Sequence, residues 1–210
     1  MALITGSPYG TITASEDIYL SDAPYIYFQD ATASPFFNPD SDGYYWQVSG
    51  TATYPVFEFA CVEGVTFTEG RTLNDVTCDN VGVKDTVQTR DYVEFQLSVK
   101  SLFPFTNLSR ILAASAATIN ASQNTEKIGI GKINNNQFWH VYAPKVYDED
   151  VGDYVAIHLH KAKFVNSWTI EMPYANQWSI TGLALRGFAD TTKPTAQQFA
   201  VVVRHDPSVL

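Results

Sequence analysis

Alternation of apolar and polar residues is cleanest in DYVEFQLSV, residues 91–99. Val93, Phe95, Leu97 and Val99 alternate with Tyr92, Glu94, Gln96 and Ser98. A period of two sends successive side chains to opposite faces of a strand, so one face is buried and the other wet. The preceding run VTFTEGRTLNDV is the expected partner. It turns Val65, Phe67 and Leu73 toward a core and Thr66, Thr68 and Thr72 toward water. Between the two runs lies TCDNVGVKDTVQTR, which reads as a long polar connection with Asn80 and Gly82 as turn material. Residues 65–99 therefore predict a long extended hairpin with a polar tip.

The period then changes. In FPFTNLSRILAASAATI, Leu108, Ile111, Leu112, Ser115 and Ile119 recur at helical spacing. Pro104 blocks an earlier start, and Thr106 or Asn107 can cap, so a helix is expected over about 106–118. IGIGKINNNQFWHVYAP reads as a hairpin turning at its Asn run, and DEDVGD as an acidic turn. Further strands are expected near 154–165, 167–173 and 178–188, with FAVVVRHDP as a last strand or arm. Upstream, Ile26–Phe28 and YWQVSGTATYPVFEFACV are the expected strands in a stretch punctuated by Pro, Gly, Asp and Ser. The predicted fold is mainly β: a sandwich or partial barrel with one main α-helix and a long hairpin. The expected organisation is an aromatic, turn-rich extension (1–55), a β core (56–190) and a C-terminal segment (191–210).

Composition narrows the function classes. With 210 residues the chain suits one domain with an elaboration, or at most two small ones. Its net charge of −9 repels phosphate backbones, so a grip on nucleic acid through basic contacts is not expected. The opening MALITGSPYG lacks a basic region followed by an apolar run, and no apolar segment has membrane-spanning length. A chain made in a cytoplasm, with no membrane partner, is the expectation. Cys61 and Cys78 then read as small buried residues rather than a disulfide.

No catalytic constellation emerges. Asn38 to Gly43 resembles the first half of a calcium loop, but Ser49 stands where a bidentate Glu belongs. Asp148, Asp150 and Asp153 form a second acidic loop. Gly129 to Lys132 is no phosphate loop, because Glu126 and Ile133 occupy positions that need Gly and Ser or Thr. His158 and His160 share one strand face, yet two ligands are not a site, and a solvated sheet face accounts for them. His140 lies between Trp139 and Val141, and His205 precedes Asp206. Neither joins a nucleophile signature. No enzyme activity, metal or cofactor is therefore expected. Tyr25, Tyr27, Tyr44, Tyr45, Trp46 and Trp139 offer either a sugar-stacking face or ordinary core and interface filling, the second being favoured.

Two segments carry a family resemblance. GVTFTEGRTLNDVTCDNVGVKDTVQTRDYVEFQLSVKSLFPFTNLSRIL has a strand, a D-x-x-G-x-x-D loop (Asp79, Gly82, Asp85), a second strand and a helix start at Asn107-Leu108. HLHKAKFVNSWTIEMPYANQWSITGLALRGFADTTKP has a strand at Lys161-Ala162 and a closing strand at Leu185 to Asp190. In pattern and order these segments, about 63–112 and 154–194, resemble the tail tube proteins of long-tailed bacteriophages. The resemblance implies a virion protein, made in the bacterial host cytoplasm. Six copies close a ring around one continuous β-barrel, and rings stack head to tail. It implies a lumen face bearing Glu94, Gln96, Ser98, Thr66 and Thr68. It implies an inter-ring tether carrying Asn74, Asp75, Asp79, Asn80, Gly82, Lys84, Asp85 and Arg90. The implied partners are further copies, a tape measure protein in the lumen, tail terminator and tail-tip proteins, and DNA in transit without specific binding. The alternatives are another virion β-protein (a tail terminator or capsid decoration protein) or a carbohydrate-binding β-sandwich using Trp46 or Trp139.

Overall fold

The structure, a computed structural model, describes residues 11–12, 15–19, 26–35, 37–39, 45–59, 62–78, 82–99, 118–130, 137–148, 153–165, 168–172 and 179–205. Most of these lie in one ten-stranded antiparallel sheet. Its order is β1 (Thr11–Ile12), β6 (Val56–Phe59), β3 (Ile26–Asp30), β11 (Trp139–Asp148), β12 (Asp153–Phe164), β14 (Ser179–Gly187), β8 (Gly82–Val99) and β7 (Val62–Cys78). Two strands join it from the side: β13 (Thr169–Glu171) pairs with β14, and β15 (Ala200–His205) pairs with β12. The sheet is open, since its path ends at β1 and β7. A second sheet of three strands, β2 (Ser15–Tyr19), β5 (Tyr45–Ser49) and β4 (Phe37–Pro39), supplies another layer.

The two faces of the main sheet bury different things. One face carries Phe28, Phe57, Trp139, Val141, Leu159, Leu183 and Leu185 in a single cluster with Val93, Phe95, Leu97 and Val99. The alternation in 91–99 thus does what its period predicts. Phe67 closes edge-on against Phe95, with ring centroids 5.3 Å apart. The opposite face carries Tyr27, Val56, Tyr142 and Ala156, covered by Phe37 and Val48 from the three-stranded sheet. Tyr27 and Trp139 are core residues, so a sugar-stacking role for Trp139 is removed.

Several expectations change. Of the connection expected over 77–90, residues 77–78 and 82–90 are strand. Strands β7 and β8 pair from Val62↔Val99 to Cys78↔Gly82, with register shifts at Thr72/Leu73 and Val76/Thr77. The sequence looks like a loop there because polar residues fall in both alternating sets of positions. Thr72, Asn74 and Asp75 face solvent, so no apolar period marks the strand. Among the described residues there is no α-helix. The expected helix over 106–118 lies outside the described residues except for Thr118, which begins β9 (Thr118–Asn120). This short strand pairs with β10 (Thr125–Lys127) across a turn in which Asn124 adopts φ 49°, a conformation Asn tolerates better than most residues. The hairpin turn expected at the Asn run lies outside the described residues, but its flanks do not pair with each other where they are described. Residues 128–130 form no strand, and Trp139 instead faces Asp30 on one side and Ala162 on the other. Strand β3, expected in an extension, is an inner strand between β6 and β11.

The late strands occur as expected, and the acidic turn joins Asp148 to its partner Asp153. Residues 82–92 of β8 lie beyond the reach of β14, whose pairing with β8 spans Val93 to Val99. At roughly 3.3 Å per residue that leaves a two-stranded overhang about 35 Å long.

Two measurements follow from this division. Phe95→Ala removes a fully buried ring from the core and is expected to destabilise by about 3–5 kcal/mol in urea unfolding. Backbone amides of 82–90 should exchange with deuterium faster than those of 93–99, because a ribbon without a third strand opens locally. Equal protection of the two halves would show that the overhang is held by contacts beyond its own pairing.

Candidate functional site

The polar side of the hairpin base is built by strand register. Thr68, Glu94 and Arg186 stand in one row across β7, β8 and β14, and Thr66, Gln96 and Ala184 in the next. Thr66, Thr68 and Gln96 are exposed, and Ser98 is half-buried. Glu94 keeps only 7% of its surface. Its Oε2 accepts from Arg186 Nη2 at 2.9 Å and Nε at 3.2 Å, and its Oε1 accepts from Gln96 Nε2 at 3.1 Å. The Gln96 hydrogen bond leads in holding the Glu94 carboxyl below its usual range, and Arg186 adds to it against the opposing effect of burial. Arg186 also lies over the Tyr92 ring, 5.3 Å from its centroid. That ring covers Gly70, where a Cβ would fall 2.1 Å from Tyr92 Cζ. Glycine is required there because the aromatic ring occupies the side-chain space.

This corrects one expectation about charge. Glu94 faces away from the apolar core, as the alternation implied, but it is not an unscreened acid. Arg186 neutralises it. Of the tether residues, Asn74 and Asp75 are exposed on β7. Gly82 pairs with Cys78, and Asp85 and Arg90 stand opposite Val76 and Thr72. Lys84 lies within β8. Asp79 and Asn80 fall outside the described residues.

A second constellation lies on the same sheet face, nearer its centre. His158 and His160 are on β12, and His140 is on β11. They are not on a solvated face. His140 keeps 3% and His160 6% of their surface. His158 packs against Tyr142 at 4.5 Å and against Phe37 at 6.4 Å between ring centroids. The sequence could not show this cover, because it comes from the separate three-stranded sheet. The third histidine comes from strand pairing. Trp139 faces Ala162, but Val141 faces Leu159, so the single residue His140 stands opposite both His160 and Lys161. Such a bulge re-aims side chains locally. Ring centroids are 5.4 Å apart for His140 and His158, and 4.4 Å for His158 and His160. One nitrogen from each ring lies within 4.8 Å of the other two.

The polar bookkeeping of this cluster is incomplete. His140 Nε2 lies 3.4 Å from the Ala33 carbonyl oxygen. His140 Nδ1, His158 Nε2 and both nitrogens of His160 are buried with no hydrogen-bond partner. A buried polar atom left unpaired costs about 1–3 kcal/mol. Burial lowers all three pKa values, to about 4 for His140 and about 2 for His158, with repulsion from neighbouring histidines adding to the shift of those two and Lys193 adding to that of His160. The imidazoles are therefore neutral at pH 7. His160 also lines a cavity of about 460 Å³ together with Asp30, Gln137, Phe138, Lys161 and Asp190. The contrast with the tyrosine beside them is instructive. Tyr142, also buried, donates its hydroxyl to Gln29 Oε1, while Gln29 Nε2 donates to the Ser49 and Tyr54 carbonyls. That network is satisfied and the histidine cluster is not.

Sequence reasoning missed His140 as a partner. The signal was present: counting back along both strands from the acidic turn sets residue 140 opposite 160–161. In comparisons with known proteins, no family profile matches the chain and no curated protein is significantly similar to it.

The histidines predict an acid-sensitive fold. In the unfolded chain they titrate near pH 6.5, whereas His140 in the folded chain titrates near pH 4. Below pH 6.5 the unfolded state binds more protons, so stability falls as pH falls, and the His140 contribution levels off near pH 4. His140 alone is expected to remove about 3 kcal/mol between those limits, read by urea unfolding with chelator present. A pH-independent unfolding free energy over pH 4–6.5 would contradict this.

Proposed function

We propose that this chain is a self-assembling structural subunit of the phage tail tube kind, a conduit protein rather than an enzyme. The observation that carries the reading is the open edge of the main sheet. Strand β7 runs for 17 residues at the end of the sheet, and among the described residues β8 is its sole partner strand. A long strand at the end of a sheet is a template for pairing with another chain, which natural monomers blunt or cover. Joining the edges of neighbouring subunits into one closed barrel removes the problem. The overhanging ribbon supports the second part of the reading. A two-stranded arm of about 35 Å has the reach to contact a neighbouring ring, and its many polar residues keep it soluble until it docks.

In this reading six copies form each ring, and rings stack head to tail. The row of Thr66, Thr68, Gln96 and Ser98, with the neutralised Glu94–Arg186 pair, faces the bore. The tape measure protein occupies the lumen first, and DNA follows, repelled by the net negative chain rather than gripped. Tail terminator and tail-tip proteins cap the two ends, and the assembled protein resides in the virion.

Electron microscopy over a concentration series tests this. Stacked rings or hollow tubes are expected from the full chain. Replacing residues 74–87 by a two-residue Asn-Gly turn should leave single rings that no longer stack. Rings that never stack even with the hairpin intact would point to a terminator-like role. Monomers at every concentration, with and without added tail-tip components, would defeat the assembly reading.

A further inference from the structure

The geometry points to a divalent transition-metal site formed by His140, His158 and His160, and we propose that a zinc-class ion bridges β11 and β12 there. The site does not rest on the assembly reading; it stands on the three side chains themselves. Three of the four histidines in the chain converge on one spot, from two strands whose pairing is irregular at that position. Their nitrogens lie within 4.8 Å of one another. Around a tetrahedral ion with Zn–N bonds of about 2.0–2.1 Å, neighbouring nitrogens stand about 3.3 Å apart. Small rotations of the rings toward a shared centre close the difference.

The unpartnered atoms argue for an ion more strongly than proximity does. A buried imidazole nitrogen ordinarily finds a donor or acceptor. Here four such atoms on three rings have none. His140 is also oriented for the role. Its Nε2–H donating to the Ala33 carbonyl leaves Nδ1 as a bare lone pair, and a backbone carbonyl behind a ligating histidine fixes that tautomer in metal sites. Neutral imidazole is the ligating form, and burial keeps all three rings neutral at pH 7.

The donor set selects the class of ion. Three imidazoles without carboxylate or thiolate suit zinc, nickel, cobalt or copper and give magnesium and calcium nothing to bind. Three protein ligands leave a fourth position, and His160 is the ligand that also lines the 460 Å³ cavity. Asp190 and Lys193 lie on the same side and act on His160 with opposite sign, so the surroundings add little net charge of their own.

The test uses the full-length chain without an affinity tag, stripped with a chelator and then titrated with cobalt(II) and zinc. One cobalt per chain is expected, with the visible absorption of a low-coordinate nitrogen site that zinc abolishes. His140→Asn and His160→Gln should each weaken zinc binding by more than about 100-fold, while His205→Ala leaves it unchanged. Because either ligand variant can lose its fold, long-range nitrogen–proton NMR of the unsubstituted chain is the second measurement. Zinc should shift the imidazole nitrogens of His140, His158 and His160 and leave those of His205 in place. Absence of stoichiometric binding, binding that survives both substitutions in folded variants, or shifts confined to His205 would each overturn the site. Failure of the chain to assemble into rings would not bear on it.

Discussion

The antiparallel pairing of β11 with β12 sets the position of everything else in the main sheet. Strand β12 is held by β11 along most of its length, by β15 over its first half and by β14 at its end. Slipping a strand by one residue exchanges its two faces, so a strand buried on both sides tolerates no error of register. The bulge between Trp139 and Val141 is therefore a constraint and not a blemish. It lets Leu159 and Ala162 both reach the apolar cluster although their spacing is odd. In doing so it leaves His160 on the other face, beside His158 and across from His140. One irregularity both completes the core and assembles the histidines.

Much of this architecture was legible in the chain wherever one face is buried and the other wet. Residues 91–99 announce their own strand and face, and the late strands stand out by β-branched and aromatic content. Legibility failed where the physical cause was remote. The run over 77–90 has polar residues in both alternating sets of positions, so the pairing of its described strands leaves no hydrophobic trace in the sequence. The burial of His158 depends on Phe37, more than a hundred positions away. The location of β3 between β6 and β11 depends on pairings such as Asp30 with Trp139, which no local window contains.

The two faces of the sheet divide the labour of stability and interaction. The side bearing Phe95, Trp139 and Leu185 is a continuous apolar layer. The other side is covered at one end by Phe37 and Val48, passes through the histidines, and turns polar toward Arg186, Glu94 and Gln96. The ion pair at that end leaves the surface hydrophilic yet close to neutral. Such a surface carries little local charge, and the long-range field of the chain comes instead from its net charge of −9.

The inner position of β3 has a consequence for how the chain is made. Its first neighbour, β6, follows within about thirty residues, but its other neighbour, β11, begins only at Trp139. At a synthesis rate of about 5–20 residues per second, the interval between completing β6 and reaching β11 lasts roughly 4–16 s. During that interval the side of β3 that will meet β11 is an unfinished edge beside Ile26 and Phe28, two residues fully buried in the finished fold. Contacts of this sequence separation also form slowly. The early part of the nascent chain thus keeps an unfinished edge until Trp139 and its neighbours are made.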